Sequence, residues 1–477
     1  MTTRNLALVL LLSICSQAPA WEHTFGGSGD DAGNRILVLP DGGSVVAGRT
    51  TSFGAGGQDV WVLRFTPNGD TLWTRAYGGP GSDNGNDIAL TNDSGMIVVG
   101  PTNSFGAGNY DAWVLRLNRN GDTLWTRTFG GDSADIPRSV LALSDGGFLV
   151  IGETWAQGVL RSEGWILRLN AGGDTLWTRT YGLPWSDRAY AGCPATGGGY
   201  IIVGAQQPDS AGQGQAWVFK INTAGDTLWS HHYGVTQSSA LFRVFPTGDG
   251  GYIAAGVAVS ARPSHDTDAW ILRLDASGDT LWTRTCGGAG MESAYDVVPT
   301  TGGGFVIAGY TSSFGAGAND GWLVGFSAGG DSLWARTYGG ASVDGAYSVA
   351  SLPSGGYVFT GAFHPPGPVP GDLWLMSTDS LGMPTHVALP PTRAHQMRIV
   401  AAYQSGNLDL RTTCPETERL DLNLINATGE RMGSWPGLFL PEGDSHWRLP
   451  CPKLAPGTYW LYPETGNSPA VPVVVVE

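Results

Sequence analysis

Apolar residues fall along the chain in short runs, each bounded by Gly, Asn, Asp or Ser. One representative stretch holds four of them: Asp87–Thr91, Met96–Gly100, Ala112–Leu117 and Leu124–Phe129. The runs are rich in Val, Ile, Leu, Trp and Tyr, and no window sustains a helical period, so they read as strands. Several are apolar on both alternating faces: Trp61, Leu63 and Phe65 point one way, Val60 and Val62 the other. A strand buried on both faces belongs to a sheet packed between two others.

The group of four recurs. Tryptophans of the fourth run stand at Trp21, Trp73, Trp125, Trp177, Trp229, Trp282 and Trp334, in steps of 52 or 53. Those of the third run stand at Trp61, Trp113, Trp165, Trp217, Trp270, Trp322 and Trp374. A fixed period of this size signals a solenoid, propeller or array, and four strands repeated radially make a propeller blade. The fold expected is all-β: a seven-bladed β-propeller of four-stranded blades over residues 21–382. A fourth-type strand opens the repeats alone at Trp21-Glu-His-Thr-Phe, and the last copy lacks one. The N-terminal strand is therefore expected to complete blade 7 and close the ring, leaving no open sheet ends.

Outside the repeats the pattern changes. Residues 1–20 carry Arg4, an apolar core from Leu6 to Ile14 and Ala18-Pro-Ala20, the order of a secretory signal peptide cleaved near Ala20. A lipid anchor on Cys15 would place Ile14 where a small residue is expected. No other segment is apolar enough to span a membrane. Residues 383–395 form a Pro-rich linker. Residues 396–477 show new strands at Met397–Ala402, Leu408–Thr412, Leu420–Asn426, His446–Leu449, Thr458–Tyr462 and Val471–Val476, the pattern of a small Ig-like β-sandwich.

Two resemblances follow from these residues. Gly-x-x-x-Trp after an apolar strand, at Gly69, Gly121, Gly173, Gly225, Gly278 and Gly330, resembles the tryptophan-docking repeat of quinoprotein-type propellers. That implies an outermost strand bearing Trp282 and its equivalents. The wider pattern, with Ser-Phe-Gly-Ala-Gly before Asp-x-Trp, resembles tandem repeats of secreted bacterial proteins. Asn426-Ala-Thr-Gly-Glu-Arg followed by Leu454-Ala-Pro-Gly-Thr-Tyr-Trp-Leu resembles the C-terminal sorting domain of type IX secretion cargo. It implies a secreted or outer-surface location and contact with the secretion machinery.

Composition narrows function. A net charge of −15, with Lys220 and Lys453 the only lysines, argues against nucleic acid and anionic membrane surfaces. No Cys-x-x-Cys pair exists, so a zinc site is not indicated. Cys414 and Cys451 lie 37 residues apart, each before proline. A bridge between them would contribute roughly 4 kcal/mol in the chain-entropy model, and two free thiols are the alternative. Cys193 and Cys286 read as small buried thiols. The pair His231-His232 sits on alternating faces of a strand and cannot chelate together.

Acidic residues are periodic. Ten after each fourth-strand Trp stand Asp31, Asp83, Asp135, Asp187, Ser239, Glu292 and Asp344. Two before each third-strand Trp stand Asp59, Asp111, Glu163, Gln215, Asp268, Asp320 and Asp372. Calcium or a catalytic carboxylate pair is one reading. Once-per-blade recurrence favours another, that they accept loop amides. Asn-Gly-Asp-Thr-Leu-Trp also resembles the Asp-box of sialidase propellers, with one residue too many between Thr and Trp.

The loop between second and third strands breaks the repeat. It reads Ser-Phe-Gly-Ala-Gly at Phe53, Phe105 and Phe314 and is replaced at 154–162, 206–213, 259–267 and 363–370. The first three replacements belong to consecutive blades. They bring Trp155, Arg161, Arg262 and His265, with Trp185 and Arg188 alongside, to one side of one face as candidate contacts for a glycan, an anionic ligand or a protein. The reading reached is a non-enzymatic recognition or scaffold propeller with no assigned cofactor. The alternative is a secreted enzyme, a quinoprotein-like oxidoreductase or a carbohydrate-active one.

Overall fold

The computed structural model describes residues 21–155, 161–207, 214–234, 238–259, 267–384, 398–404, 407–414, 418–425, 431–440, 443–451, 454, 457–463 and 471–475. The chain divides into two compact units, residues 1–385 and 386–477. Among the described residues every regular element is a strand.

The first unit is a seven-bladed β-propeller. Blade 1 runs Asp31–Val38, Ser44–Thr50, Asp59–Phe65 and Thr71–Tyr77, paired antiparallel in that order. Five further blades repeat this order, from the strand at Asp87–Leu90 to the one at Ser332–Tyr338. Blade 7 takes Gly345–Ser351, Tyr357–Phe363 and Asp372–Thr378 from one end of the chain and Glu22–Phe25 from the other. Glu22 lies opposite Met376 and Phe25 opposite Leu373. The expected closure is therefore present, and the Trp-bearing strand is outermost in every blade.

Packing is between blades. The third strand of blade 1, Asp59–Phe65, is buried at every position. Its two faces pack differently: Val60 and Val62 join a core with Ile88, Val98 and Trp113 of blade 2. Trp61, Leu63 and Phe65 join one with Leu373 and Leu375 of blade 7. Each such core lies between two sheets, so no blade buries its own apolar surface alone.

The outer strands dock by a second device. Each fourth-strand indole lies on the glycine of the next blade's turn: Trp73 on Gly121, Trp125 on Gly173, Trp282 on Gly330. A Cβ at Gly121 would stand 2.9 Å from the Trp73 ring, and its φ of +82° is a glycine conformation. Trp21 docks on Gly69 and donates Nε1–H to the Pro67 carbonyl at 3.2 Å, which ties blade 7 to blade 1. Trp334 docks on Gly382, a seventh copy that the Gly-x-x-x-Trp motif misses because His386 stands where Trp is usual. Four residues after the docking Trp, Tyr181 donates to the Gly225 carbonyl at 2.7 Å, and Tyr77, Tyr233 and Tyr338 do the same at their own junctions. Phe25, Phe129 and Cys286 fill that slot without a hydroxyl.

The second unit contains two sheets. One orders Arg398–Gln404, Asn407–Cys414 and Gly443–Pro450; the other orders Arg431–Leu440, Glu418–Ile425, Gly457–Pro463 and Val471–Val475. Six strands match the sequence reading to within a few residues. The seventh, Arg431–Leu440, was not expected, because two glycines and Pro436 interrupt its pattern. The ladder shows how it tolerates them: Leu422 faces Trp435 and Leu420 faces Leu438, so Pro436-Gly437 bulge out of register. Cys451 is a buried free thiol. The side chain of Cys414 lies outside the described residues, as do the signal segment, residues 385–397 and both Arg262 and His265.

Candidate functional site

The innermost strands of the seven blades surround a central channel. Six of them carry a β-bulge at one repeat position: the register skips Asn34, Arg138, Tyr190, Phe242, Tyr295 and Tyr347. A bulge re-aims side chains. Here it presents two successive residues per blade to the axis, and they form two layers.

The deeper layer stands fourteen residues after each docking Trp: Arg35, Asp87, Ser139, Ala191, Arg243, Asp296 and Ser348. Its charged members come from opposite sides of the ring and meet. Arg35 bonds Asp296 and lies 3.4 Å from Asp87. Arg243 lies 3.4 Å from Asp87 and 3.5 Å from Asp296. Ser139 Oγ donates to Asp87 at 2.7 Å, and Ser348 Oγ to Asp296 at 2.8 Å. Two guanidiniums and two carboxylates balance one another's charge, which is how charge survives away from water. This network crosses the channel.

The outer layer faces the side of the ring where strand-two-to-three loops lie. It holds Asn34, Asn86, Arg138, Tyr190, Phe242, Tyr295 and Tyr347, all half-buried. Four aromatics occupy four consecutive blades with ring centroids 5.3, 5.8 and 5.7 Å apart. Arg138 lies over the Tyr190 ring at 5.9 Å. Its guanidinium also donates to Glu153 Oε1, and Arg188 Nε lies 3.0 Å from Glu153 Oε2. Glu153 is 1% exposed. Asn34 and Asn86 spend their amide donors on Asn84, Gly85 and Pro137.

The periodic carboxylates brace loops. Asp83 accepts from Gly79 N at 2.8 Å and Ser104 Oγ at 2.6 Å. Glu292 does the same work from Gly288 N and Thr311 Oγ1. Asp59 accepts from the Ala55 and Gly56 amides of its own Ser-Phe-Gly-Ala-Gly loop. The loop-amide reading is what the geometry shows. The two sets also meet: a Cβ on Gly130 would contact both Asp111 and Asp135. Burial, then the Asp135 charge, push Asp111 up to about 6. Burial, with Glu163 nearby, pushes Asp187 up to about 6. Among the described residues no three His, Cys, Asp or Glu side chains are grouped to hold a metal.

The loop candidates are only partly brought together. Arg161 donates to the Pro184 carbonyl, which sets it beside the exposed Trp185. Arg188 turns instead toward the channel and Glu153. Trp155 faces a 590 Å3 rim groove lined also by Phe129, Asp135, Trp165 and Thr178. Its counterpart in blade 1, of 430 Å3, is lined by Phe25, Trp61, Thr74 and Phe53, the last with its ring 5.5 Å from Trp61. The channel residues were missed in the sequence because they vary inside a regular slot. Superposing the seven periods would have exposed a position reading Arg, Asp, Ser, Ala, Arg, Asp, Ser.

No family model matches this chain. It is 27% identical over 137 residues to the regulatory protein FlaEY of Caulobacter vibrioides, a match that covers 25% of this chain and 14% of that protein. Similar solved structures include a protein of unknown function from Dyadobacter fermentans, with a TM-score of 0.42 and 12% identity over 75% of this chain and 97% of that one. They also include puromycin hydrolase, at 0.47 and 13% over 82% and 59%. YCF48 bound to D1 peptide aligns at 0.44 and 12% over 76% and 96%. At these values none carries a functional argument.

Proposed function

We propose that this protein is a non-enzymatic recognition or scaffold propeller, secreted or held at the outer cell surface, with ligand contact on the loop face of blades 3–5. Its C-terminal unit serves, in this reading, as an Ig-like domain that contacts the secretion machinery. One observation carries the reading. On that face Arg138 and Arg188 share the single buried carboxylate of Glu153 beside half-exposed Tyr190 and Phe242, a constellation suited to binding. The periodic carboxylates that would serve an enzyme are engaged in holding loops. The test is retention on extracted surface polysaccharide or protein: wild-type protein is retained, and replacing Arg138 or Arg188 with Ala weakens it. Equal retention of all variants would overturn the proposed face. Cell fractionation with mass spectrometry of both termini tests export, which predicts a chain starting at Trp21 outside the cytoplasm.

A further inference from the structure

We infer that the loop-face mouth of the central channel binds an acidic sugar unit, a uronic-acid residue of a glycan. Its ring lies against Tyr190 and Phe242, and its carboxylate against Arg138 and Arg188. This rests on the recognition reading above and moves the contact from the outer loops into the channel.

The charge argument comes first. Arg138 and Arg188 face one carboxylate, Glu153, so the cluster keeps a positive surplus. Below it the Arg35, Asp87, Arg243 and Asp296 network is internally neutral and adds no charge. A local positive site in a chain of net charge −15 is a specific feature, and it attracts anions. Glu153 is 1% exposed, while the Arg138 and Arg188 side chains are 36% and 42% exposed. The carboxylate therefore works as a buried anchor. It holds two part-exposed guanidiniums, and a planar guanidinium fork can take a carboxylate bidentately where a Lys ammonium acts as a point charge.

The shape argument comes second. Tyr190 and Phe242 are half-buried, with centroids 5.3 Å apart, and present ring surface beside the guanidiniums. Aromatic faces attract the electropositive C–H face of a pyranose. On the Asn side the amide donors are self-bonded and Arg49 donates to Asn34 Oδ1 at 3.4 Å, so that side offers one guanidinium where the other offers two. The crossed network forms a floor, which admits one end or one unit of a chain and no thread through the ring. These side chains stand on bulged strands held by the blade cores, so the site is preorganised.

The test uses the mature full chain with oligogalacturonate and oligomannuronate, neutral oligosaccharides of the same length, and an oligoglutamate peptide, read by calorimetry. The expected result is uronate binding at least about tenfold tighter than neutral sugar, weakened about tenfold or more by Arg188→Gln. Phe242→Ala weakens it too, and Trp185→Ala leaves it unchanged. Arg188→Lys, which keeps the charge and loses the fork, covers the case in which Arg188→Gln unfolds; it too should lose affinity with its melting temperature intact. Binding of neither uronate overturns the inference, as does preference for the peptide. Uronate binding that resists Arg188→Gln and Phe242→Ala but falls with Trp185→Ala would overturn the channel site and leave the recognition reading standing.

Discussion

At the scale of single residues the seven copies act as their own controls. Four third strands carry a buried arginine whose guanidinium reaches the aspartate of the facing turn: Arg64 with Asp41, Arg116 with Asp93, Arg168 with Asp145, Arg273 with Asp249. Where the arginine becomes Lys220, Gly325 or Ser377, the turn has no such aspartate, and Lys220 bonds the Thr196 carbonyl instead. The pairs therefore exist for each other. They also set part of the pH response. Its Thr91 hydrogen bond and Arg116 pull Asp93 down to about 2, and Thr247 and Arg273 do the same for Asp249. Asp111 and Asp187 are pushed the other way, to about 6. Depressed carboxylates stabilise the fold above their unfolded pKa near 4 and lose that contribution as pH falls toward 2. Raised ones hold protons that the unfolded chain has released, so stability falls as pH rises from about 4 to 6. These four groups together predict a melting temperature highest between about pH 4 and 5. Asp111→Asn should raise the melting temperature at pH 7 and flatten the decline between about pH 4 and 6; an unchanged slope in scanning calorimetry would refute the assignment. The docking glycines give a second test. Gly121 and Gly303 share a φ near +80°, but only Gly121 meets an indole. Gly303→Ala should cost about 1 kcal/mol from backbone strain alone, and Gly121→Ala about 2–3 kcal/mol, as measured by denaturant titration.

At the scale of elements, blade junctions decide stability, and each is a strand meeting a turn. The Tyr hydroxyl that caps the next blade's turn is present at Tyr181 and absent at Phe129. Phe129→Tyr should therefore add about 0.5–1.5 kcal/mol, while Tyr181→Phe removes a similar amount, both by urea unfolding. This scale was also the most legible in the sequence. Strands, turns and their order follow from a strict period, because each blade must repeat the same apolar alternation to pack on its neighbours. Legibility failed where the backbone departs from a ladder. The strand Arg431–Leu440 was hidden by Pro436, which a bulge accommodates. The channel layers were hidden by bulges at Asn34, Arg138 and Tyr190, which turn consecutive residues toward one axis and so break the alternation that assigns faces. Loops attracted attention because their sequences differ. The channel side chains differ as much, but one residue at a time within a constant frame.

At the scale of the molecule, a ring is held in two places, its perimeter and its axis. The perimeter closes through Glu22–Phe25, where Trp21 docks on Gly69 and Trp374 Nε1 bonds Glu22 at 2.8 Å. The axis is held by a network joining blades 1, 2, 5 and 6 directly, with Ser139 and Ser348 adding blades 3 and 7. These two ties predict different failures. A chain beginning after Phe25 leaves Asp372–Thr378 as an open edge and the turn at Gly69 uncovered, so unfolding should lose cooperativity from the blade 7 end. Amide exchange there should quicken before that of blade 4. Breaking the axis is a matter of charge instead. Arg243→Met leaves two carboxylates facing Arg35 alone, and removing one partner of a buried group costs about 3–5 kcal/mol. Replacing Asp87 and Asp296 with Asn as well removes the stranded charge, although Arg35 then lacks a counterion. A fourfold variant that also carries Arg35→Met restores electrical balance and should recover most of the loss. Stability of the single, triple and fourfold variants by guanidinium titration separates the two accounts. If the single variant loses little, the four charges are solvated and the channel is open at that level. If the fourfold variant stays as weak as the single one, packing rather than charge pairing holds the axis.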